Sequence, residues 1–267
     1  MLKVNKIPKV LMLGWEFPPI INGGLGIACH DLAIAMSDLA HITMVIPKSS
    51  PNFLVRNVEL IGLNNVNIDS IKTSNDKYEV NFPGRVFHVP SDMNPYFQDF
   101  LYKRSFDEMT SLKEVQFVNE SVNGFNIDSL YGNDLLERVV QFGKLVAKLA
   151  EVKDFDIVHA HDWMTMLAGM EIKARTGKPL VVHIHSLEVD RSGTDNKGWV
   201  YELEKKGMEN ADLLIPVSNF TAENIHRYYG ISKDKIVPVH NGISKVTPFK
   251  SQRLFDEPGC GDFSTRV

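Results

Sequence analysis

The sequence predicts an α/β fold, a Rossmann-like, doubly wound, mostly parallel sheet of about seven strands. Three observations predict it. The continuous apolar run Val10-Leu11-Met12-Leu13 and the largely apolar runs Phe155 to Val158 and Leu180 to Ile184 read as strands covered on both faces. Helical patterns with apolar residues at three-four spacing separate these runs. Polar clusters rich in glycine and histidine sit where strands end and helices begin, the edge at which open α/β sheets bind ligands.

Taken in order, the first strand ends at Gly14, and Pro18-Pro19 marks a loop. Gly23-Gly24-Leu25-Gly26 opens a helix to about Leu39, with Leu25, Cys29, Leu32, Ala33 and Met36 on one face. Ile42 to Ile46 is the second strand, stopped by Pro47. Strands are expected near Val55 to Leu60, Tyr78 to Phe82 and Val86 to Val89, and one or two helices within 94–126. Residues 134–151 form an amphipathic helix through Leu135, Val139, Phe142, Val146 and Leu149. Strand 156–160, helix 165–176, strand 180–184, helix 198–210, strand 213–217, helix 220–229 and strand 236–239 follow, with Gly230 as a C-cap. Residues 1–244 are therefore expected as one domain, and 245–267, with Pro248, Pro258, Gly259 and Gly261, as a linker or tail.

Composition narrows the function. A net charge of −4 does not suggest a nucleic-acid or anionic-membrane partner. Two cysteines, Cys29 expected in the core and Cys260 in the tail, make no disulfide framework and suit a reducing compartment. No run is long and apolar enough for a membrane span or a signal peptide, so the expected location is the cytoplasm.

Two His-x-His motifs stand at neighbouring strand ends: His159-Ala160-His161-Asp162-Trp163 and His183-Ile184-His185. Residues two apart on a strand face the same way. His161 is read as pointing into a cleft with Asp162 capping the next helix, and His159 either as its partner or as a buried histidine satisfied by backbone. Ser186, Glu188, Asp190 and Arg191 follow, either gripping a polar acceptor or forming a solvated loop. The paired histidines raise metal binding, but His30, His41, His88, His226 and His240 show no matching spacing for further ligands, so no metal is expected. The diglycine turn offers close backbone approach and a helix N-terminus to a phosphate or sugar hydroxyl. Tight helix–strand packing is the competing explanation. The turn lacks the G-x-G-x-x-G fingerprint, so a dinucleotide is not supported. Ser218 or Asn219, with Thr221, reads as an N-cap in preference to a ligand contact; Glu16 is open between a loop carboxylate with chemistry and a simple turn residue.

An ordered set of motifs then resembles the N-terminal half of a GT-B glycosyltransferase of the starch and glycogen synthase group and its relatives in retaining family four. These are Trp15-Glu16-Phe17-Pro18-Pro19 leading to Gly23-Gly24-Leu25-Gly26, then His159 to Trp163, His183 to Glu188, Pro216-Val217-Ser218-Asn219 and Val239-His240-Asn241-Gly242-Ile243. The resemblance covers roughly residues 9 to 244. It implies metal-free, cofactor-free retaining transfer of a sugar, glucose above all, from a nucleotide-sugar such as ADP-glucose or UDP-glucose to a glucan or other hydroxyl acceptor. By the same resemblance Gly23 and Gly24 approach the donor diphosphate. His161 contacts the donor sugar and steadies positive charge at its anomeric carbon. Glu16, His185, Ser186, Glu188 and Asp190 flank the acceptor. Two departures matter. Ile21 stands where the synthases carry a lysine, which favours a relative with another donor or acceptor. The family's nucleotide-binding C-terminal domain has no counterpart in these residues, so a half-enzyme that needs that domain or a partner subunit is expected. The alternatives are a non-catalytic glucan-binding or partner-docking module and, behind it, a metal-dependent hydrolase.

Overall fold

The computed structural model of the chain describes residues 6–66, 130–131, 135–195 and 197–242. The strands expected at 78–82 and 86–89, the helices within 94–126 and the tail 245–267 lie outside the described residues.

The described elements are strand β1 (Lys9–Leu13), helix α1 (Gly24–Met36), strands β2 (His41–Ile46) and β3 (Val58–Gly62), and helix α2 (Leu135–Ala150). Strand β4 (Ile157–His161), helix α3 (Trp163–Thr176), strand β5 (Leu180–Ile184) and short helix α4 (Glu188–Ser192) follow. Helix α5 (Trp199–Asn210), strand β6 (Leu213–Pro216) and helix α6 (Asn219–Tyr229) complete the set. The six strands form one sheet in the order β3-β2-β1-β4-β5-β6, and every pair is parallel. This is the doubly wound α/β architecture the sequence predicts.

Burial explains why the runs lack alternation. Every residue of β5 and four of the five in β1 are buried, as expected where helices cover both faces of a parallel sheet. Helices α2 and α3 pack against each other, with Gly143 set close to Leu167 and Ala168. Gly169 lets α3 close onto the sheet: a Cβ there would lie 2.7 Å from Leu180 Cδ1 and 3.3 Å from Ala160 Cβ. Gly177 and Gly230 end α3 and α6 in the left-handed conformation, at φ 67° and 72°.

The seventh strand expected at 236–239 is not formed. Ile236 makes an isolated parallel bridge to Leu214, and the Val237 and Val239 amides donate to the Leu214 and Pro216 carbonyls, both at 2.9 Å. A segment carrying Pro238 cannot run a full ladder, yet these bonds still cover the outer edge of β6. Helix α1 is shorter than expected, ending at Met36, with the Ser37 amide closing its last turn onto Ala33 and Ile34.

Candidate active site at the β1–β4 switch point

Strand order reverses between β1 and β4, so their carboxyl ends diverge and leave a crevice. The loop after β1 and the diglycine turn form one wall. The ends of β4 and β5 form the other.

Glu16 organises the first wall. It is 0 % exposed, and its carboxylate accepts the Asn22 and Gly23 amides at 3.1 and 3.0 Å and a hydrogen bond from the Tyr131 hydroxyl. Gly26 permits the packing, since a Cβ there would lie 3.1 Å from Glu16 Cβ and 2.5 Å from Ile21 Cγ2. Trp15 anchors the start of the loop by donating its indole N–H to the Leu130 carbonyl and meeting Phe142 edge-on. Glu16, expected at the acceptor, holds the turn: a buried carboxyl group must be paired, and its partners here are backbone amides and a phenol. Gly23 is the N-cap of α1, and no side chain caps that helix. A Cβ on Gly24 would meet nothing within 4 Å, so the first turn of α1 has open space beside it.

The second wall is a stack of imidazoles. His161 and His183 are register partners on β4 and β5, and the rings of His159, His161, His183 and His185 lie with centroids 4.5 to 5.4 Å apart. Histidines two apart on one strand do face one side, as their spacing predicts. His161 Nδ1 and His185 Nε2 share a hydrogen bond of 3.0 Å, and His183 Nδ1 and His159 Nε2 one of 3.3 Å. His159 is therefore paired to another imidazole rather than to backbone. The Nε2 atoms of His161 and His183 are buried with no partner. Burial depresses all four, joined by neighbouring imidazoles at His159, His161 and His183: His159 and His183 to about 3, His185 to about 4, and His161 well below its ordinary value. The stack is thus neutral at physiological pH. His161 is fully buried and His185 only half-buried, so the cleft meets His185 first.

Asp162 departs from expectation. It occupies the N-cap position of α3, but its side chain makes no cap. Its carboxylate accepts the His185 amide at 2.7 Å and, more weakly, the Ser186 amide at 3.5 Å, tying the two His-x-His loops together. The cause is its backbone at φ 57°, ψ 175°, which aims the side chain away from the helix axis and costs on the order of 1–3 kcal/mol. Its own amide to the His183 carbonyl, 2.9 Å, and the Thr165 hydroxyl against the His161 carbonyl, 2.8 Å, hold the bend. Burial pushes the Asp162 carboxyl up to about 6 against these amides and Arg191.

Shortly after His185 the chain forms helix α4 rather than a solvated loop, and the polar groups of this stretch hydrogen-bond within the molecule, Asp190 from an exposed position. Arg191 donates to Ser186 Oγ at 2.7 Å, Glu188 at 3.1 Å and Glu204 at 2.6 Å; Asp190 accepts from Asn224 at 2.9 Å. Glu204 of α5, 1 % exposed, caps α4 by accepting the Glu188 amide at 2.9 Å and also takes the Tyr229 hydroxyl. Burial pushes its carboxyl up to about 7. Burial opposes the Arg191 charge, but Glu204, Glu188 and Asp162 outweigh it and hold the guanidinium protonated. Sequence reasoning missed Glu204, because one acid on an amphipathic helix reads as a solvated face. It also missed Cys29, read as core alone. Donor atoms of Cys29, His161 and His185 lie within 4.8 Å of one another, as do those of His159, His161 and His183. Cys29 thereby places α1 against the histidine wall, with Gly24 about 7.5 Å back along the helix axis.

Among the described residues no helix is long and apolar enough to cross a membrane. The model of Glycosyltransferase Family 4 matches residues 109–245, just over half of the chain. The glycogen synthase of Mycobacterium tuberculosis is 23% identical over 263 residues, covering 92% of this chain and 51% of its own length. An uncharacterized glycosyltransferase of Methanocaldococcus jannaschii is 26% identical over 240 residues, covering 88% and 46%. The chain spans about half the length of these curated relatives. Among solved structures, sucrose-phosphate synthase of Thermosynechococcus elongatus shares the fold at a TM-score of 0.52 and 13% identity, over 87% of this chain and 48% of that one. The chain belongs to Glycosyltransferase Family 4.

Proposed function

We propose that these residues form the acceptor-side half of a retaining hexosyltransferase that moves a sugar, glucose above all, from a nucleotide-sugar to a glucan or other hydroxyl acceptor. The observation that carries the reading is the unpartnered, buried Nε2 of His161 beside the β1–β4 crevice. A polar atom buried without a partner is costly and calls for an occupant. A neutral imidazole supplies either a hydrogen-bond donor or a lone pair, so it holds a sugar hydroxyl and tolerates positive charge growing at the anomeric carbon. A protonated ring would repel that charge. The open first turn of α1 beside Gly24, next to Gly23, suits the donor diphosphate, because amides and the helix dipole favour an anion there. His185 stands at the mouth, and Ser186, Glu188 and Asp190 shape the acceptor side through the Arg191 network. Neither a metal nor a cofactor is needed for this transfer.

Efficient transfer needs both reactants aligned and the leaving diphosphate neutralised. In this reading a further domain or a partner subunit closes over the crevice between these two walls, and these 267 residues alone bind acceptor weakly and turn over little. Glycosyltransfer from ADP-glucose and UDP-glucose to maltooligosaccharides tests it, with the chain alone and with a relative's C-terminal half added in trans. The expected result is turnover only in the second case, with retained configuration, and a loss of roughly 100-fold on His161→Ala. Fast multiple turnover by the chain alone overturns the half-site reading. An inverted product, or activity indifferent to His161, overturns the mechanism.

A further inference from the structure

The geometry points to a cation site in the same wall: Cys29 Sγ and one ring nitrogen each from His161 and His185 form a set of one sulfur and two nitrogens for a single soft divalent cation of the zinc class. The three donors come from α1, the end of β4 and the residue after β5, and they lie within 4.8 Å of one another. His161 Nδ1 and His185 Nε2, 3.0 Å apart, are already close to the roughly 3.3 Å that separates two nitrogens on a tetrahedral zinc. Thiolate and imidazole are the donors that select such an ion over magnesium or calcium. Neutral rings do not have to shed a proton before binding.

The neighbouring set His159, His161 and His183 shares His161 and is wholly buried, so one ion, not two, is accommodated. Half-buried His185 gives the Cys29 set its entrance from the cleft. On binding, the Cys29 S–H bond breaks, a sulfur–metal bond forms and one proton leaves to solvent. The cation takes the place of the His161–His185 hydrogen bond: the ring that donates it moves its proton to its other nitrogen, and the accepting ring already carries its proton there. The fourth coordination position is left to water. Binding stands on this donor set alone. Its consequence, that a cation on Nδ1 fixes the His161 proton on Nε2 and leaves that nitrogen only a donor toward a sugar, rests on the transferase reading above.

The test uses the full chain stripped with a chelator and titrated with Co2+ as a spectroscopic stand-in. Expected are one equivalent bound, visible bands of a tetrahedral site, a thiolate-to-cobalt charge-transfer band in the near ultraviolet, and loss of colour when Zn2+ is added. Cys29→Ala removes the charge-transfer band. His185→Asn, at a half-buried position and with folding checked by an unchanged urea midpoint, weakens Co2+ binding by roughly 100-fold. Cys260→Ser and His41→Asn leave both unchanged. Absence of stoichiometric binding, a weak octahedral spectrum without the charge-transfer band, or a band that survives Cys29→Ala and disappears in Cys260→Ser overturns the site. None of these readouts needs glycosyl transfer, so failure of this proposal and failure of the functional reading are told apart.

Discussion

The two walls of the crevice are built on opposite principles. On the β1 side the one buried charge, Glu16, takes two amides and a phenolic hydroxyl, and its work is to fix the diglycine turn. On the β4–β5 side four imidazoles pair only among themselves and leave two buried nitrogens without partners. A saturated wall holds shape. An unsaturated one stores unmet hydrogen-bonding capacity, and that capacity is what a sugar can use. Behind the second wall lies a further contrast, the Arg191–Glu204–Tyr229 lock under α4, where burial is matched by an opposite charge.

Acid gives the largest expected effect and separates these regions by sign. An imidazole held lower in the fold than in the unfolded chain lets the unfolded chain take up protons first. Stability is then full above about 6.5 and falls as pH drops toward the 3 to 4 of His159, His183 and His185. Each such ring removes up to about 1.4 kcal/mol per pH unit in that window. Glu204 runs the other way: raised to about 7, its contribution is present below 4.5 and is lost as pH rises through 7. Urea midpoints measured from pH 8 to 4 should therefore fall steeply on the acid side. His183→Gln should make the acid limb shallower, and Glu204→Gln should steepen it between about 6.5 and 4.5, because the opposing gain from Glu204 in that window is removed. Identical limbs in all three proteins break the comparison.

The next largest effect is in the lock. Arg191→Met leaves Glu204 buried without its cation, and a loss of about 3 kcal/mol in urea unfolding is expected. Helix α4 loses order with it, read as faster amide exchange at Glu188 to Ser192. Glu204→Gln is milder because a neutral side chain still accepts the Glu188 amide. Smaller again is the β1 wall. Gly26→Ala forces Ile21 and Glu16 apart and should cost about 2 kcal/mol, with the resonances of Asn22 and Gly23 shifting most. Ser218→Ala, away from both walls, removes the cap bond to the Thr221 amide and the hydroxyl contact with Thr221 Oγ1, and should cost about 1 kcal/mol by thermal unfolding. If Ser218→Ala costs as much as Arg191→Met, the lock has no special standing.

Local chemistry was readable along the chain wherever one element suffices to define it. The apolar runs that became β1, β4 and β5 have no alternation because both faces are covered, and a one-dimensional pattern records that. The common side of His159 and His161 follows from a period of two, and Ser218 and Gly230 mark helix ends because caps are made within one turn. Other features needed partners far away in sequence. Asp162 looks like a cap until a distant strand supplies the His185 amide and a strained backbone turns its carboxylate aside. Glu16 looks like loop chemistry until Tyr131, from the far side of the β3-to-α2 connection, closes over it. Glu204 is one charge on an amphipathic helix until Arg191 reaches it.

By itself, then, the sequence determined the class of fold, the alternation of strands and helices and the positions of the histidines at strand ends, because periodicity and capping act within a few residues. Only the tertiary structure decided that β1 and β4 lie side by side and that the imidazoles of two strands stack and lose their charge. It alone brought Cys29 of α1 to His161 and His185. Adjacency in a parallel sheet is set by crossovers whose ends are far apart in the chain, and desolvation is a property of everything packed around a group rather than of the group itself.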